Sequence, residues 1–386
     1  MRYFISTGEP SGDLHAGNLV RRIRSLDPSA EFSGLGGNKL AAAGCPLVHP
    51  LADDPIMGFV NAIRAVPKLL GVLARVKEEW RRNRPDVVVT IDYPGFHWHL
   101  AKAARKMGLP VVYFIPPQIW AWAPWRVAKV RKYFDLVLCS LPFEPEWYRA
   151  RGVPFAEYVG HPFFDDLAAH RPDSGRIEEL RNGDGPTVAI LPGSRSFEIR
   201  NNSDVLLSAA ARIAERIPRA RFHVAGYRND HAETIRGKLA GSTMPIEVHV
   251  GRTREILAAA DVALSVSGSV SLELLEHRLP SVIVYRLQRR FMEYVLMPIF
   301  LRAKYITLVN LMADRIVYPE FVGCADRSRD MADRIVHWLK RPLERQRVVN
   351  ELDELRRRFA MPGATAAAAE RIVAHARRMI RRRAAA

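Results

Sequence analysis

Arg2-Tyr3-Phe4-Ile5-Ser6-Thr7-Gly8-Glu9-Pro10-Ser11-Gly12-Asp13 is the stretch on which the fold turns. Residues 2–6 form a short apolar run of strand character, residues 8–13 a turn with two glycines, and residues 17–26 an amphipathic helix pattern. A strand that passes through such a turn into a helix is the opening unit of a parallel sheet covered by helices. Small residues there let backbone amides face a ligand, and the helix start favours an anion or a sugar oxygen. Glu9 and Asp13 would repel a phosphate, and Ser11 or Asp13 as a helix cap explains the same residues without a ligand.

Outward from this unit the pattern repeats. Strands are expected over 2–6, 86–91, 111–115 and 135–139, with helical segments such as 17–26 and 96–107 between them. The pattern then decays into Asp173-Ser174-Gly175 and Asn182-Gly183-Asp184-Gly185-Pro186, a turn-rich boundary. A second series follows at 187–191, 221–225, 246–250, 261–265 and 281–285. A chain of 386 residues is too long for one ordinary core. The expected class is α/β: two Rossmann-like doubly wound domains, 1–165 and 166–345, with an inter-domain cleft for ligands. Residues 346–386 are expected to be helices, with their return to the first domain left open.

Composition narrows the function classes. Hydrophobic residues at 48% and charged residues at 26% describe a globular chain, not a disordered one. Cys45, Cys139 and Cys324 lie far apart, without zinc-finger spacing or a disulfide framework, so a reducing, cytosolic setting is expected. No signal-peptide pattern opens the chain, and no apolar run reaches the roughly 20 residues of a membrane span. The net charge of +17 favours a polyanion, either nucleic acid or an anionic lipid leaflet. General arginine enrichment explains the same number. Six arginines from Arg371 onward mark either a solvated helix face or a membrane contact.

Several motifs bear chemistry. Leu191-Pro192-Gly193-Ser194-Arg195 repeats the strand-to-helix turn but ends in a cation, which suits a diphosphate gaining charge as a bond breaks. Ser265-Val266-Ser267-Gly268-Ser269-Val270-Ser271-Leu272-Glu273 offers amides to a phosphate and a carboxylate to ribose hydroxyls; it also reads as a capping box. Asp92, just beyond the strand at 86–91, is placed either as a general base for a hydroxyl nucleophile or as a cap. Trp120, Trp122 and Trp125 beside Arg126 suit stacking on sugars, bracing of a loop, or a single-stranded nucleic acid. Phe59, Ile63, Val66, Leu70, Leu73, Val76 and Trp80 form a helical stripe among basic residues, either core or an interfacial helix. Residues 286–304, with Phe291, Tyr294, Leu296, Ile299 and Phe300, are a second interfacial candidate.

Taken in order, these motifs resemble those of the lipid-A-disaccharide synthases, inverting glycosyltransferases of the GT-B fold. The resemblance also covers Ile56-Met57-Gly58, Leu141-Pro142-Phe143-Glu144, Gly160-His161-Pro162, Tyr285-Arg286 and residues 305–310. It implies transfer of a diacylated glucosamine from its UDP form to a diacylated glucosamine 1-phosphate, without metal or other cofactor. Asp92 then matches the proposed base, and Arg195 and Asn310 match residues tied to UDP and activity. Gly8, Glu9, Ser11, Gly12, Asp13, Gly193, Ser194, Ser267, Gly268, Ser269, Ser271, Leu272, Glu273 and Tyr285 match substrate-binding positions. The implied setting is the cytoplasmic face of an anionic inner membrane, touched peripherally, with no nucleic acid partner and a homodimer left open. Gly95-Phe96-His97 departs from the family's Asp-Phe-Asn, which leaves Asp92 as the acid and gives His97 a candidate proton-shuttle role. Other GT-B enzymes, a cell-wall N-acetylglucosaminyltransferase or a UDP-sugar epimerase, are the rival readings, followed by a basic nucleic-acid-binding protein.

Overall fold

The structure, a computed structural model, describes the backbone of residues 1–53, 59–287 and 303–385, and side chains over 1–52, 66–287 and 303–385. The apolar segment at 291–300 and the side chains of Phe59 and Ile63 lie outside the described residues. The chain divides into two compact units: residues 1–166 with 362–386, and residues 167–361.

The first unit is built on a seven-stranded sheet of β1 (Arg2–Ser6), β2 (Glu31–Leu35), β3 (Leu47–His49), β4 (Val87–Ile91), β5 (Val111–Phe114), β6 (Leu136–Cys139) and β7 (Ala156–Tyr158). All its ladders are parallel, in the order β3-β2-β1-β4-β5-β6-β7. Successive side chains of a strand point to opposite faces, and both faces here are apolar. Phe4, Val88, Tyr113 and Val137 enter one core cluster, and Tyr3, Ile5, Val89, Val112 and Leu138 the other.

The second unit carries β8 (Thr187–Leu191), β9 (Arg221–Gly226), β10 (Ile246–Val250), β11 (Val262–Val266), β12 (Ser281–Arg286) and β13 (Glu320–Gly323). Their order is β10-β9-β8-β11-β12-β13, again parallel throughout. Each sheet therefore reverses its winding once, between β1 and β4 and between β8 and β11. Ligands of open α/β sheets bind at such reversals, beyond the carboxyl ends of the strands.

The last two helices go to different units. Pro342–Phe359 belongs to the second, whereas Ala364–Ala384 lays Ala368, Ala369, Ile372, Val373 and Ala376 into the core of the first. Asp165 caps this final helix, its carboxylate accepting from Thr365 N at 2.7 Å, and Arg371 pairs with Glu157 at 2.9 Å. With the apolar face occupied, all six tail arginines are exposed. The stripe expected on one helix likewise divides. In the helix Phe59–Arg82, Leu73, Val76 and Trp80 are core, while Val66 and Leu70 are 48% and 57% exposed beside the exposed Lys68.

Candidate active site

In the first unit the winding reversal is flanked by the Gly8 turn after β1 and the Asp92 loop after β4. Asp92 and Tyr93 both take left-handed backbone angles, φ +51° and +49°. This conformation costs a non-glycine residue roughly 1–2 kcal/mol, so something must hold it. The Asp92 carbonyl accepts from Tyr113 Oη at 3.0 Å and from His97 Nδ1 at 2.6 Å. Because a carbonyl only accepts, Nδ1 carries the imidazole proton, and Nε2 accepts from Ser6 Oγ at 2.9 Å. His97 is fully buried, and burial pushes its pKa down to about 3. The expected shuttle role for His97 is thereby corrected: both nitrogens are engaged inside the protein, and the residue positions the Asp92 loop. Asp92 itself is half-buried at the strand's end. Gly95 is exposed, and a side chain there would meet nothing within 4 Å.

The glycines opposite are required by close approach. A Cβ on Gly8 would lie 2.3 Å from the Tyr93 ring, and one on Gly12 would lie 2.2 Å from Thr7 Oγ1. Asp13 acts inside the fold as a cap. Its buried carboxylate accepts from the backbone amides of Gly37 (2.6 Å), Lys39 (2.8 Å) and Leu40 (3.2 Å), fixing the start of the helix Asn38–Ala42. Of this motif, Ser11 is exposed and Glu9 half-buried.

The tryptophan block separates into three environments. Trp120 is buried, donating from Nε1 to Glu144 Oε1 at 3.0 Å, and Trp122 lies under Arg126 at 4.5 Å. Trp125 is 59% exposed. Burial raises the Glu144 pKa to about 7, opposed by the hydrogen bonds from Trp120 and the Leu141 and Ser140 backbone.

Buried imidazoles give the unit a pH dependence. Burial lowers His15 to about 4 and His161 to about 3, alongside His97. An unfolded histidine takes up its proton near pH 6.5, so below that the unfolded state binds more protons and stability falls as pH drops toward the folded values. At pH 5 this amounts to about 2 kcal/mol for each buried imidazole. Glu144 acts in the opposite sense between its unfolded value and about 7, but it is one group against three. The urea midpoint of the native protein is therefore expected to fall between pH 7 and pH 5; a constant midpoint would contradict the assignment.

In the second unit the reversal is flanked by the Arg195 turn after β8 and the Ser267-Gly268 turn after β11. Gly193 has φ +114°, and a Cβ there would lie 2.5 Å from Glu198 Oε2. The same oxygen accepts from Ser194 N at 3.0 Å and Arg195 N at 3.2 Å. The Glu198 carboxylate thus occupies the Ser194 and Arg195 amides, and the turn presents the Arg195 side chain. The Arg195 side chain is 47% exposed and 3.7 Å from Glu198 Oε1. Arg228, absent from the sequence reading, reaches Ser196 Oγ at 3.3 Å, and His231 Nε2 lies 3.1 Å from the same hydroxyl. The available signal was Gly226-Tyr227-Arg228, another cation after a strand that ends in glycine.

The β11 turn has exposed Gly268 and Ser269, and a Cβ on Gly268 would meet nothing within 4 Å. The capping-box reading is corrected, because the helix Val270–Glu276 has no side-chain cap. Ser271 is buried and donates to Gly268 O at 2.8 Å, Leu272 is core, and Ser267 Oγ donates to Ile306 O at 2.8 Å. Glu273 and Tyr285 are half-buried.

Asn310, matched by the resemblance to a residue tied to activity, is the centre of a buried hydrogen-bond knot. It is fully buried; Nδ2 donates to Tyr318 O and Glu320 Oε1, each at 2.8 Å, and Oδ1 accepts from Val317 N and Tyr318 N, each at 2.9 Å. Glu320 also accepts from the Ile306 and Thr307 amides at 2.9 Å and from Thr307 Oγ1 at 2.6 Å. The knot fixes Ile306, whose carbonyl holds Ser267 and so the β11 turn.

Comparison with known proteins gives the chemistry a context. Residues 3–368 match the family described as lipid-A-disaccharide synthetase. The chain belongs to that family. A lipid-A-disaccharide synthase of Myxococcus xanthus is 33% identical over 375 residues, 96% of this chain and 97% of the relative. Among solved structures, a UDP-GlcNAc 2-epimerase from Neisseria meningitidis bound to UDP-GlcNAc gives a TM-score of 0.60 at 10% identity, covering 97% of this chain and 99% of that one. The calicheamicin glycosyltransferase CalG4 gives 0.61 at 15%, covering 98% of each chain. These structures establish the GT-B fold alone; the family match favours neither the epimerase nor the nucleic-acid reading. No helix among the described residues is long and apolar enough to cross a membrane.

Proposed function

We propose that this protein joins UDP-2,3-diacylglucosamine to 2,3-diacylglucosamine 1-phosphate, giving lipid A disaccharide 1-phosphate and UDP. The observation that carries the reading is the family match over residues 3–368. The acceptor's 6-hydroxyl attacks the anomeric carbon with inversion, through a state of oxocarbenium character. Asp92 takes the hydroxyl proton, and its half-buried place at the end of β4 supports that role. Arg195 offsets the charge that grows on the departing diphosphate. Gly268 and Ser269 contact the nucleotide at the open β11 turn, and Glu273 accepts from ribose hydroxyls. Glu9 and Ser11 face the acceptor side.

Both substrates bear acyl chains, so the protein works against a bilayer surface. The exposed Val66, Leu70 and Trp125, with the outward arginines of the last helix, support peripheral contact with anionic lipid. The setting proposed is the cytoplasmic face of the inner membrane.

The test is UDP release from UDP-2,3-diacylglucosamine in detergent micelles, with and without 2,3-diacylglucosamine 1-phosphate. Release that requires the acceptor and yields a disaccharide is the expected result. Turnover of water-soluble UDP-N-acetylglucosamine alone, with none of the acylated pair, would replace the proposal by an epimerase-like activity.

A further inference from the structure

The outer edge of the second sheet holds a side-chain cluster that the transfer chemistry does not use. Residues His223 and Glu247 are register partners across β9 and β10, and His249 lies two residues further along β10. The strand alternation puts all three on one face. Their polar atoms form a closed triangle: His223 Nδ1 to His249 Nε2 is 3.1 Å, His249 Nε2 to Glu247 Oε2 is 3.3 Å, and His223 Nδ1 to Glu247 Oε2 is 3.7 Å.

We infer that His223, Glu247 and His249 bind one divalent transition-metal ion of zinc type. A tetrahedral zinc with ligands at about 2.0–2.1 Å has its donor atoms roughly 3.3 Å apart. The observed triangle brackets that spacing, before any movement on binding. Two imidazoles and a carboxylate are also the donor set that zinc takes when one position is left to water.

A second observation bears on the direction of the donors. His223 is buried, with a 4% exposed side chain, and its Nε2 lies 3.2 Å from the carbonyl of Leu180. The carbonyl accepts, so Nε2 holds the proton and Nδ1 presents its lone pair to the other two ligands. Metal-bound histidines are oriented by this kind of outer hydrogen bond. His249 is 14% exposed and Glu247 68%, which leaves an entry path from solvent.

The surrounding charge sets an upper limit on affinity. Arg221, Arg236 and Arg252 act on the cluster, against Glu247 and Glu179. Each arginine is engaged: Arg221 with the Leu180 carbonyl at 3.1 Å, Arg236 with the Val248 carbonyl at 2.9 Å, and Arg252 with Glu179 at 3.3 Å. Three protein ligands beside these cations make a site weaker than a closed four-ligand zinc centre. Its effect is to clip edge strand β10 to β9 and, through Leu180, to the helix Ser174–Arg181.

The experiment uses the full chain stripped with a chelator and titrated with zinc, then with cobalt for its visible absorption. The expected result is one zinc per chain with Kd at or below about 10 µM and a thermal midpoint raised by the bound metal. Four-coordinate cobalt bands are expected with it. Glu247→Gln and His249→Gln, both on the accessible strand, should each weaken zinc binding at least roughly tenfold and abolish the zinc-induced midpoint shift. UDP release should be unchanged in both variants at saturating substrate. Failure to bind a stoichiometric zinc at about 100 µM free metal would overturn the inference. Binding that is undiminished in both variants would do the same, because it would place the metal elsewhere.

Discussion

Asp92→Asn should lower turnover by about two to four orders of magnitude, the range for loss of a positioned general base, while leaving the fold intact. The second half of that expectation comes from the loop. What holds Asp92 in its left-handed conformation is its own carbonyl, bonded to His97 and Tyr113. An asparagine keeps that carbonyl and tolerates the left-handed region better than most residues. The substitution therefore removes a proton acceptor and keeps the carbonyl that holds the loop. Single-turnover UDP release in micelles should show the loss in the chemical step, with the thermal midpoint near that of the parent. The pH profile should also lose the limb that reports ionisation of the base. Near-normal turnover in folded Asp92→Asn would remove Asp92 from the mechanism.

Asn310→Ala separates a structural role for this residue from a catalytic one. The substitution strands the amides of Val317 and Tyr318, the carbonyl of Tyr318 and one contact of Glu320, all around a fully buried position. Each buried group left without a partner costs about 1–3 kcal/mol, so a loss of about 3–5 kcal/mol is expected. That is a large share of the 5–15 kcal/mol typical of a domain. Chemical denaturation should register it directly. Activity should be lost in proportion to the unfolded fraction, with KM near normal in the fraction that remains folded at low temperature. Full stability with lost turnover would instead mean that Asn310 touches substrate. Asn310→Asp sharpens the comparison, since it keeps the acceptor for the two amides but sets a second carboxylate against Glu320.

Much of the architecture was legible because parallel strands buried on both faces read as apolar runs. The bounds of β1, β8 and β10 agree with the sequence reading residue for residue, β4, β5, β6, β9 and β12 differ by one residue at an end, and β11 is shifted by one residue. The strands it missed, β2, β3, β7 and β13, lie at or next to a sheet edge, and three of them have only three or four residues. β3, β7 and β13 lack one neighbour, and in all four strands a polar residue, Glu31, His49, Glu157 or Glu320, interrupts the apolar signal. The division of the two last helices was equally hidden, since both are arginine-rich and only Ala364–Ala384 has its apolar face taken by the first unit.

The sequence by itself determined the class of fold, the motifs that flank each winding reversal and the family, because these depend on local order along the chain: a strand, a small-residue turn, a helix. It did not determine which polar residues remain available for chemistry. Asp13, Glu198, His97 and Asn310 look like site residues or their neighbours in the sequence, yet their hydrogen-bonding capacity is directed into the protein. Buried polar groups must find partners, and those partners come from segments up to 91 residues away, as between Ser6 and His97. The same reason hides the His223, Glu247 and His249 triangle: its spacing along the chain resembles no metal motif, and only the parallel register of β9 and β10 brings the three donors to one point.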